Sequence, residues 1–353
     1  MKEELADLKT ELLCNGVGIP ENMRTGRKGG AGPAGGRYMV INGSVVNVPV
    51  YGRAVESPFV LEGHDNTYIL EYKNNIYPVQ VVEPPVWYNF EVDGIVYKKI
   101  ALQHGVDCLA TTVYQRCCRW RENENPCAFC GIELSLEYGG TIEKKTPEQV
   151  KEVAVAAQKE GCTHVTLTTG TPGTKDKGAY MLAACTTAIK EVGLPVHVQV
   201  EPVPRRYIDV LKDAGADTIG IHIETLDENV FGAVCPSKDF SAFAEAWQDC
   251  IDIFGENQVD SYVLIGLGEE YDAMVSGIES MVALGVIPFV VPFRPIAGTP
   301  LEDRSFPLFE TVKKYSVAAA KKMKEYGVNP FRNKAGCVRC GACSSVKEYL
   351  KTL

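Results

Sequence analysis

Six of the thirteen cysteines in this 353-residue chain fall into two tight groups, a distribution typical of metal ligands. The first reads Cys117-x9-Cys127-x2-Cys130, within QRCCRWRENENPCAFCGIE. A Cys-x2-Cys pair lets two thiolates reach one metal centre from a single turn, while a third arrives from a strand end. Three thiolates on a four-iron cubane leave one iron without a protein ligand, whereas a structural zinc site or an electron-transfer cluster takes four. Cys118 competes with Cys117 for the third position, and a zinc knuckle is the bland alternative. The second group, Cys337-x2-Cys340-x2-Cys343 in GCVRCGACSS, supplies the first three ligands of a cluster-binding run but is followed by Ser344 and Ser345. It predicts an auxiliary Fe–S cluster whose fourth ligand comes from elsewhere in the chain, from substrate or from exogenous sulfide; zinc is again the alternative. The other seven cysteines, at 14, 108, 118, 162, 185, 235 and 250, are scattered and mostly suit packing as small apolar residues.

The elements that must position these residues follow a β/α rhythm. Strands are expected at 109–115, 164–169, 195–200, 217–223, 259–265 and 287–293, with helical patterns between them and a last helix over Leu308 to Tyr326. Six such repeats predict an α/β fold with a parallel sheet, doubly wound or a partial or full (β/α) TIM-type barrel, in which ligands gather at the carboxyl ends of the strands. Residues 38–103 carry short alternating segments broken by Asn-Gly, Asp-Gly and Asn-Asn turns, read as a small antiparallel β unit. Residues 1–37 give a helix ending near Asn15-Gly16 and then RTGRKGGAGPAGGR, a flexible linker that lacks the spacing of a phosphate loop. The expected boundaries are therefore 1–37, 38–103, 104–304 for the barrel, and 305–353 for the C-terminal helix and auxiliary segment.

Bulk properties narrow the class. A net charge of −9 argues against a general nucleic-acid binder, which needs a basic footprint. No apolar run of membrane-spanning length occurs, and MKEELADLKTELL lacks the apolar centre of a signal peptide, so a cytoplasmic protein is expected.

The stretches GRKGGAGP, VVNVPV, KIALQHGVDCLATTVYQRC, CAFCGIELSLEYGGTIEKKTPEQ, TLTTGTP, IGLGE, VPFRPIAGTPLED and KAGCVRCGACSS resemble the biotin-synthase-like radical S-adenosylmethionine (SAM) superfamily over essentially the whole chain. Within it they most resemble a family first named from a mycobacterial member and found in nitrilase-superfamily gene clusters. The resemblance implies an oxygen-sensitive enzyme whose [4Fe–4S] cluster, held by Cys117, Cys127 and Cys130, chelates SAM at its open iron. It also implies a small-molecule substrate and a low-potential electron donor such as flavodoxin or ferredoxin. The long x9 spacing, against three residues in most of the superfamily, is shared with that family. Phe129 would pack over the adenine. Thr168, Thr169, Gly170 and Thr171 would receive the SAM amino group, by position only, because the usual Gly-Gly-Glu is absent. Glu201 ends the third strand, and His222 and Glu224, at i and i+2 of the fourth, would face inward toward the SAM ribose, with a structural network as the alternative. Gly266 and Gly268 match the glycine motif that supports adenine. Arg294, after the sixth strand, would sit at the cavity mouth to pair with a carboxylate or phosphate, or else form a salt bridge to a nearby acidic residue.

Overall fold

The computed structural model describes residues 2–19, 36–51, 54, 56–64, 67–120 and 125–353. The glycine-rich linker from Arg24 lies outside the described residues except for Gly36 and Arg37. The chain begins with helix α1 (Lys2–Asn15) and an antiparallel sheet of β1 (Gly36–Ile41), β2 (Ser44–Pro49), β3 (Val60–His64), β4 (Thr67–Tyr72) and β5 (Asn75–Val81), ordered β2-β1-β5-β4-β3. Leu12 and Leu13 of α1 pack with Met39, Ile41, Val46 and Val48 in a separate hydrophobic cluster.

This sheet ends at Val81, earlier than the turn pattern suggested. The hairpin β6 (Glu91–Val92) and β7 (Ile95–Val96) and helix α2 (Tyr97–Ile100) follow, and Trp87, Tyr97 and Ile100 are buried in the core of the large domain. Those side chains are large and apolar, so burial against the barrel outweighs the local turn signals.

The large domain is a seven-stranded sheet: β8 (Leu102–His104), β9 (Cys108–Thr112), β10 (His164–Thr168), β11 (Val196–Gln199), β12 (Thr218–Gly220), β13 (Val259–Ile265) and β14 (Ile287–Pro292). From β9 to β14 every strand pairs parallel with its predecessor, while β8 lies antiparallel on the β9 edge. Sequential addition at one edge curls the sheet into a half-barrel, which removes the doubly wound alternative. Strands β9 and β11 are buried at every position, as runs covered on both faces must be.

Helices α3 (Leu134–Glu137), α4 (Pro147–Lys159), α5 (Ala179–Lys190), α6 (Arg205–Asp213), α7 (Glu228–Val234), α8 (Ala242–Phe254), α9 (Tyr271–Ala283) and α10 (Phe309–Tyr326) cover the outside or link the strands. Helix α4 starts where its sequence directs: Thr146 and Gln149 form a reciprocal capping box around Pro147.

The C-terminal residues do not form an appendage. Helix α11 (Gly336–Cys340) and helix α12 (Val346–Leu350) return to the amino ends of the strands. Gly336 N–H donates to His164 Nδ1 at 3.0 Å, and Lys334 N–H donates to Gln258 Oε1 at 3.1 Å. Gly336 has φ +89°, and a Cβ there would lie 2.3 Å from His197 Cγ, so only glycine brings this backbone under the barrel. Lys9 of α1 donates to Glu348 and to the Gly341 carbonyl, tying the N-terminal helix to the same plug.

Candidate active site

A cavity of about 320 Å³ runs inside the half-barrel, and both cysteine groups open onto it. Cys117, Cys127 and Cys130 line it from the loop after β9, and Cys337 and Cys343 line it from the floor. Cys118 is exposed and not among the lining residues; its N–H donates to the Thr171 carbonyl at 2.8 Å.

The upper loop is held by backbone and side-chain bonds rather than by its own propensity. Cys117 N–H donates to Glu133 Oε1 at 2.9 Å, Ala128 N–H to the Val234 carbonyl at 2.8 Å, and Leu301 N–H to the Ala128 carbonyl at 3.2 Å. Gly170 packs so tightly below it that a Cβ would lie 2.1 Å from the Arg116 carbonyl oxygen. Glycine is required there for close backbone approach.

The electrostatics of this end were mostly invisible in the sequence pattern. Arg119 grips Glu201 with two bonds, Nε to Oε1 at 3.0 Å and Nη2 to Oε2 at 2.9 Å, and Thr171 and Lys177 also donate to that carboxylate. Burial opposes ionisation of Glu201, but Arg119 and Lys238 together bring its pKa down to about 2. Glu201 thus lines the cavity with its oxygens already engaged. Lys238 is 3.9 Å from Glu224. Burial works against its ammonium, yet Cys127, Glu224, Cys235 and Glu201 hold its pKa above the ordinary lysine range. Glu224 is pushed up to about 7 by burial, with Lys238 opposing. Buried Cys235 donates to Cys127 and, with Lys238, draws the Cys127 thiol toward thiolate, while burial pushes Cys130 and Cys117 up. Cys235 is not itself among the residues that line the cavity.

Two sequence expectations need correction. Strand β12 stops at Gly220, and Glu224 has φ +73°, so His222 and Glu224 are not inward positions of one continuous strand. They reach the cavity through a left-handed turn that pairs with β13: Glu224 N–H donates to the Tyr262 carbonyl, and Leu264 N–H to the Glu224 carbonyl. His222 stacks on Tyr262 with centroids 3.9 Å apart. Gly266 and Gly268 are not among the lining residues. Glu269 accepts from the N–H groups of Gly266 and Leu267, and Arg304 donates to the Gly266 carbonyl, so this loop is closed on itself. Phe129, Thr168, Thr169, Gly170, Thr171 and Arg294 all line the cavity. Arg294 makes no ion pair with an acidic side chain among the described residues. It donates to Asn47 Oδ1 at 2.7 Å and to the Asn47 carbonyl at 2.5 Å, which couples the N-terminal sheet to the barrel.

At the floor, Tyr262 donates its hydroxyl to Cys337 Sγ at 2.8 Å. Burial and the neighbouring Cys343 push Cys340 up to about 12, and burial pushes Cys337 well above the ordinary thiol range. Tyr262, Lys238 and Arg119 are lining residues that motif reading missed. Arg119 had a signal, two residues after Cys117 in a cofactor loop; Lys238 had none, because it lies beyond α7 in a turn that only the tertiary fold brings to the cavity.

Residues 112–280 match the family profile of the radical SAM superfamily, a span that contains the upper cysteines and strand ends β10 to β13. The matched span is the part of the barrel that carries the upper cysteines. An uncharacterised protein of Methanocaldococcus jannaschii is 28% identical over 188 residues, covering 51% of this chain and 48% of its own length. A biotin synthase of Leptospira biflexa is 28% identical over 178 residues, covering 49% of each. The chain thus spans about half the length of the curated relatives it matches. Methylornithine synthase is similar in fold, with a TM-score of 0.51 at 20% identity over 62% of each chain. Among the described residues no helix is long and apolar enough to cross a membrane.

Proposed function

We propose that this protein is a radical SAM enzyme in which Cys117, Cys127 and Cys130 hold a [4Fe–4S] cluster and a small-molecule substrate occupies the cavity beneath it. The observation that carries the reading is that Cys117, Cys127 and Cys130 all line the cavity at the carboxyl end of the barrel, while Cys118 and Cys235 do not. Three lining sulfur donors fit a cubane with one iron free. When bound, the cluster and SAM supply a 5′-deoxyadenosyl radical by one-electron cleavage of an S–C bond, with methionine as co-product.

The chain's own residues do the rest. Lys238, ammonium-charged and buried at the cavity wall, suits the carboxylate of SAM; the Thr168–Thr171 backbone suits its amino group. Phe129, beside two ligand cysteines, presents a face to a purine. Glu201, already locked by Arg119, fixes the loop geometry rather than receiving a ligand, and Glu224, near neutrality in its titration, holds or releases a proton beside Lys238. The half-barrel walls exclude water, so a reactive carbon-centred species meets substrate before solvent. Cys337, Cys340 and Cys343 would hold the auxiliary Fe–S cluster at the other end of the same cavity, within reach of substrate, which keeps sulfur insertion open beside rearrangement or fragmentation. A flavodoxin- or ferredoxin-like donor in the cytoplasm would supply the electron. Membership in the family found in nitrilase-superfamily gene clusters belongs to this proposal and rests on the quoted sequence stretches.

The test is anaerobic reconstitution with iron and sulfide counting, followed by an assay for 5′-deoxyadenosine from SAM under reducing conditions. SAM-dependent 5′-deoxyadenosine, lost in Cys127→Ala, is expected. Zinc in place of iron, with no SAM cleavage, would overturn the reading in favour of a non-catalytic scaffold.

A further inference from the structure

Below the cavity floor three ionisable side chains converge that no step of the proposed chemistry uses. His197 on β11 and Asp260 on β13 are completely buried, and His222 reaches between them from the turn after β12. One ligand atom from each lies within 4.8 Å of the other two, and His197 Nε2 is 3.7 Å from Asp260 Oδ2. Gly220, between them on β12, keeps the gap clear: a Cβ there would sit 3.0 Å from His222 Nε2 and 3.1 Å from His197 Nε2.

Two observations point to a ligand rather than to packing. Neither oxygen of Asp260 has a hydrogen-bond partner among the described residues, and His222 Nε2 has none either. A buried carboxylate without donors is costly, and such groups are ordinarily paired or bound to a cation. Moreover, the His197 tautomer is fixed in the ligating sense. Thr218 Oγ1 donates to the Ala335 carbonyl at 3.3 Å and so accepts from His197 Nδ1–H at 2.8 Å, leaving the lone pair on Nε2 directed at the gap. Burial keeps His197 neutral, with its pKa down to about 3.

We infer that His197, His222 and Asp260 form a binding site for one divalent transition-metal ion of the zinc or iron(II) type, separate from both cysteine groups. Two imidazoles and one carboxylate, without a thiolate, select such borderline ions over calcium or magnesium. Binding rearranges two contacts. Gln199 Nε2, 3.2 Å from His197 Nε2, gives up that contact and keeps its bond to the Tyr262 hydroxyl. His222 Nδ1 now accepts from the Tyr262 N–H at 3.2 Å, which places the ring proton on Nε2; ligation through Nε2 moves that proton to Nδ1 and ends the bond. Because His222 stacks on Tyr262, and Tyr262 donates to Cys337, the ion would brace the floor cysteines from below. The site stands whether or not the cysteines carry clusters.

The experiment uses the full chain, purified anaerobically, with Zn2+ as the probe. Metal content, sulfide and zinc-edge absorption are measured on the same samples, and the thermal midpoint is followed as Zn2+ is added. Expected are one zinc per chain with a nitrogen and oxygen shell, a rise in midpoint, and a Kd weakened at least about 100-fold in Asp260→Asn. His222→Gln, at the cavity edge, gives the same weakening and guards against a folding defect in Asp260→Asn. No zinc-induced rise in the wild-type midpoint, sulfur in the zinc shell, or wild-type affinity in both variants would overturn the site.

Discussion

The two ends of the barrel present the same element, three cysteines, in settings that differ at one thiol. At the mouth, Cys127 sits beside Lys238 and accepts from Cys235, so one thiolate is favoured before any metal arrives. At the floor, Cys337, Cys340 and Cys343 are half-buried near one another, and desolvation drives all three thiols up. Arg294 and Lys9 are the cations that act on Cys343 there, and Arg294 is itself committed to Asn47. Metal loading at the floor must therefore expel more protons than at the mouth. A mouth with one thiolate already favoured suits a site that loads readily, and a floor of protonated thiols one that loads more slowly.

The sharpest way to break this contrast is to remove one sulfur from each end. Cys127→Ala is expected to lower 5′-deoxyadenosine formation by at least about 1,000-fold, the scale on which a group needed for the chemical step is lost. Cys337→Ala is expected to lose the floor iron yet still cleave SAM, uncoupled from product; equal losses of cleavage would erase the distinction.

The two tight glycines separate the ends structurally. Gly336→Ala forces a Cβ to 2.3 Å from His197 Cγ at φ +89°, and Gly170→Ala forces one to 2.1 Å from the Arg116 oxygen. Each is expected to cost about 3 kcal/mol in urea unfolding, with iron lost from the floor in the first and from the mouth in the second. Loss of the same iron from both would show the two ends to be one unit. Arg119→Ala leaves the Glu201 carboxylate with Lys177 and Thr171 as its donors and Lys238 nearby, and is expected to destabilise by about 2 to 3 kcal/mol while Arg119→Lys retains part of that. Unchanged stability in Arg119→Ala would remove Glu201 from the framework of the mouth.

The architecture was legible because buried parallel strands announce themselves as apolar runs. The 259–265 expectation coincides with β13, and the other five fall within two or three residues of β9 to β12 and β14. The cysteines were found by spacing, and their end of the barrel by the rule that ligands follow strands. What escaped depends on tertiary contact. Lys238 reaches the mouth because the end of α7 docks on the Cys-x2-Cys turn through Val234, which no local pattern encodes. His222 and Glu224 were picked for an alternation that does not exist; they arrive through a left-handed Glu224, a conformation sequence statistics disfavour. The docking of GCVRCGACSS under the barrel escaped too, because nothing in the segment shows that Gly336 fits under His197.

The smallest expected effect concerns the two mouth carboxylates, which should respond to pH in opposite directions in the metal-free, reduced chain. Glu201, at about 2, stabilises the fold fully above its ordinary value near 4.5, and that contribution is lost as pH falls toward 2. Glu224, at about 7, behaves inversely: its preference for the protonated form stabilises below about 4.5 and is lost as pH rises through 7. Urea unfolding at pH 4.5, 6 and 8 should therefore show Glu224→Gln gaining on the wild type by about 2 kcal/mol across that range, allowing for partial solvent access. Glu201→Gln should show only a small opposite drift, about 0.4 kcal/mol between pH 4.5 and 6, and none above pH 6, where Glu201 is ionised in both folded and unfolded chains. A Glu224→Gln difference that stays flat from pH 4.5 to 8 would mean that Lys238 already holds Glu224 as a carboxylate. The mouth would then carry a fixed ion pair in place of a titrating acid, and any proton exchanged beside the substrate would have to come from another group.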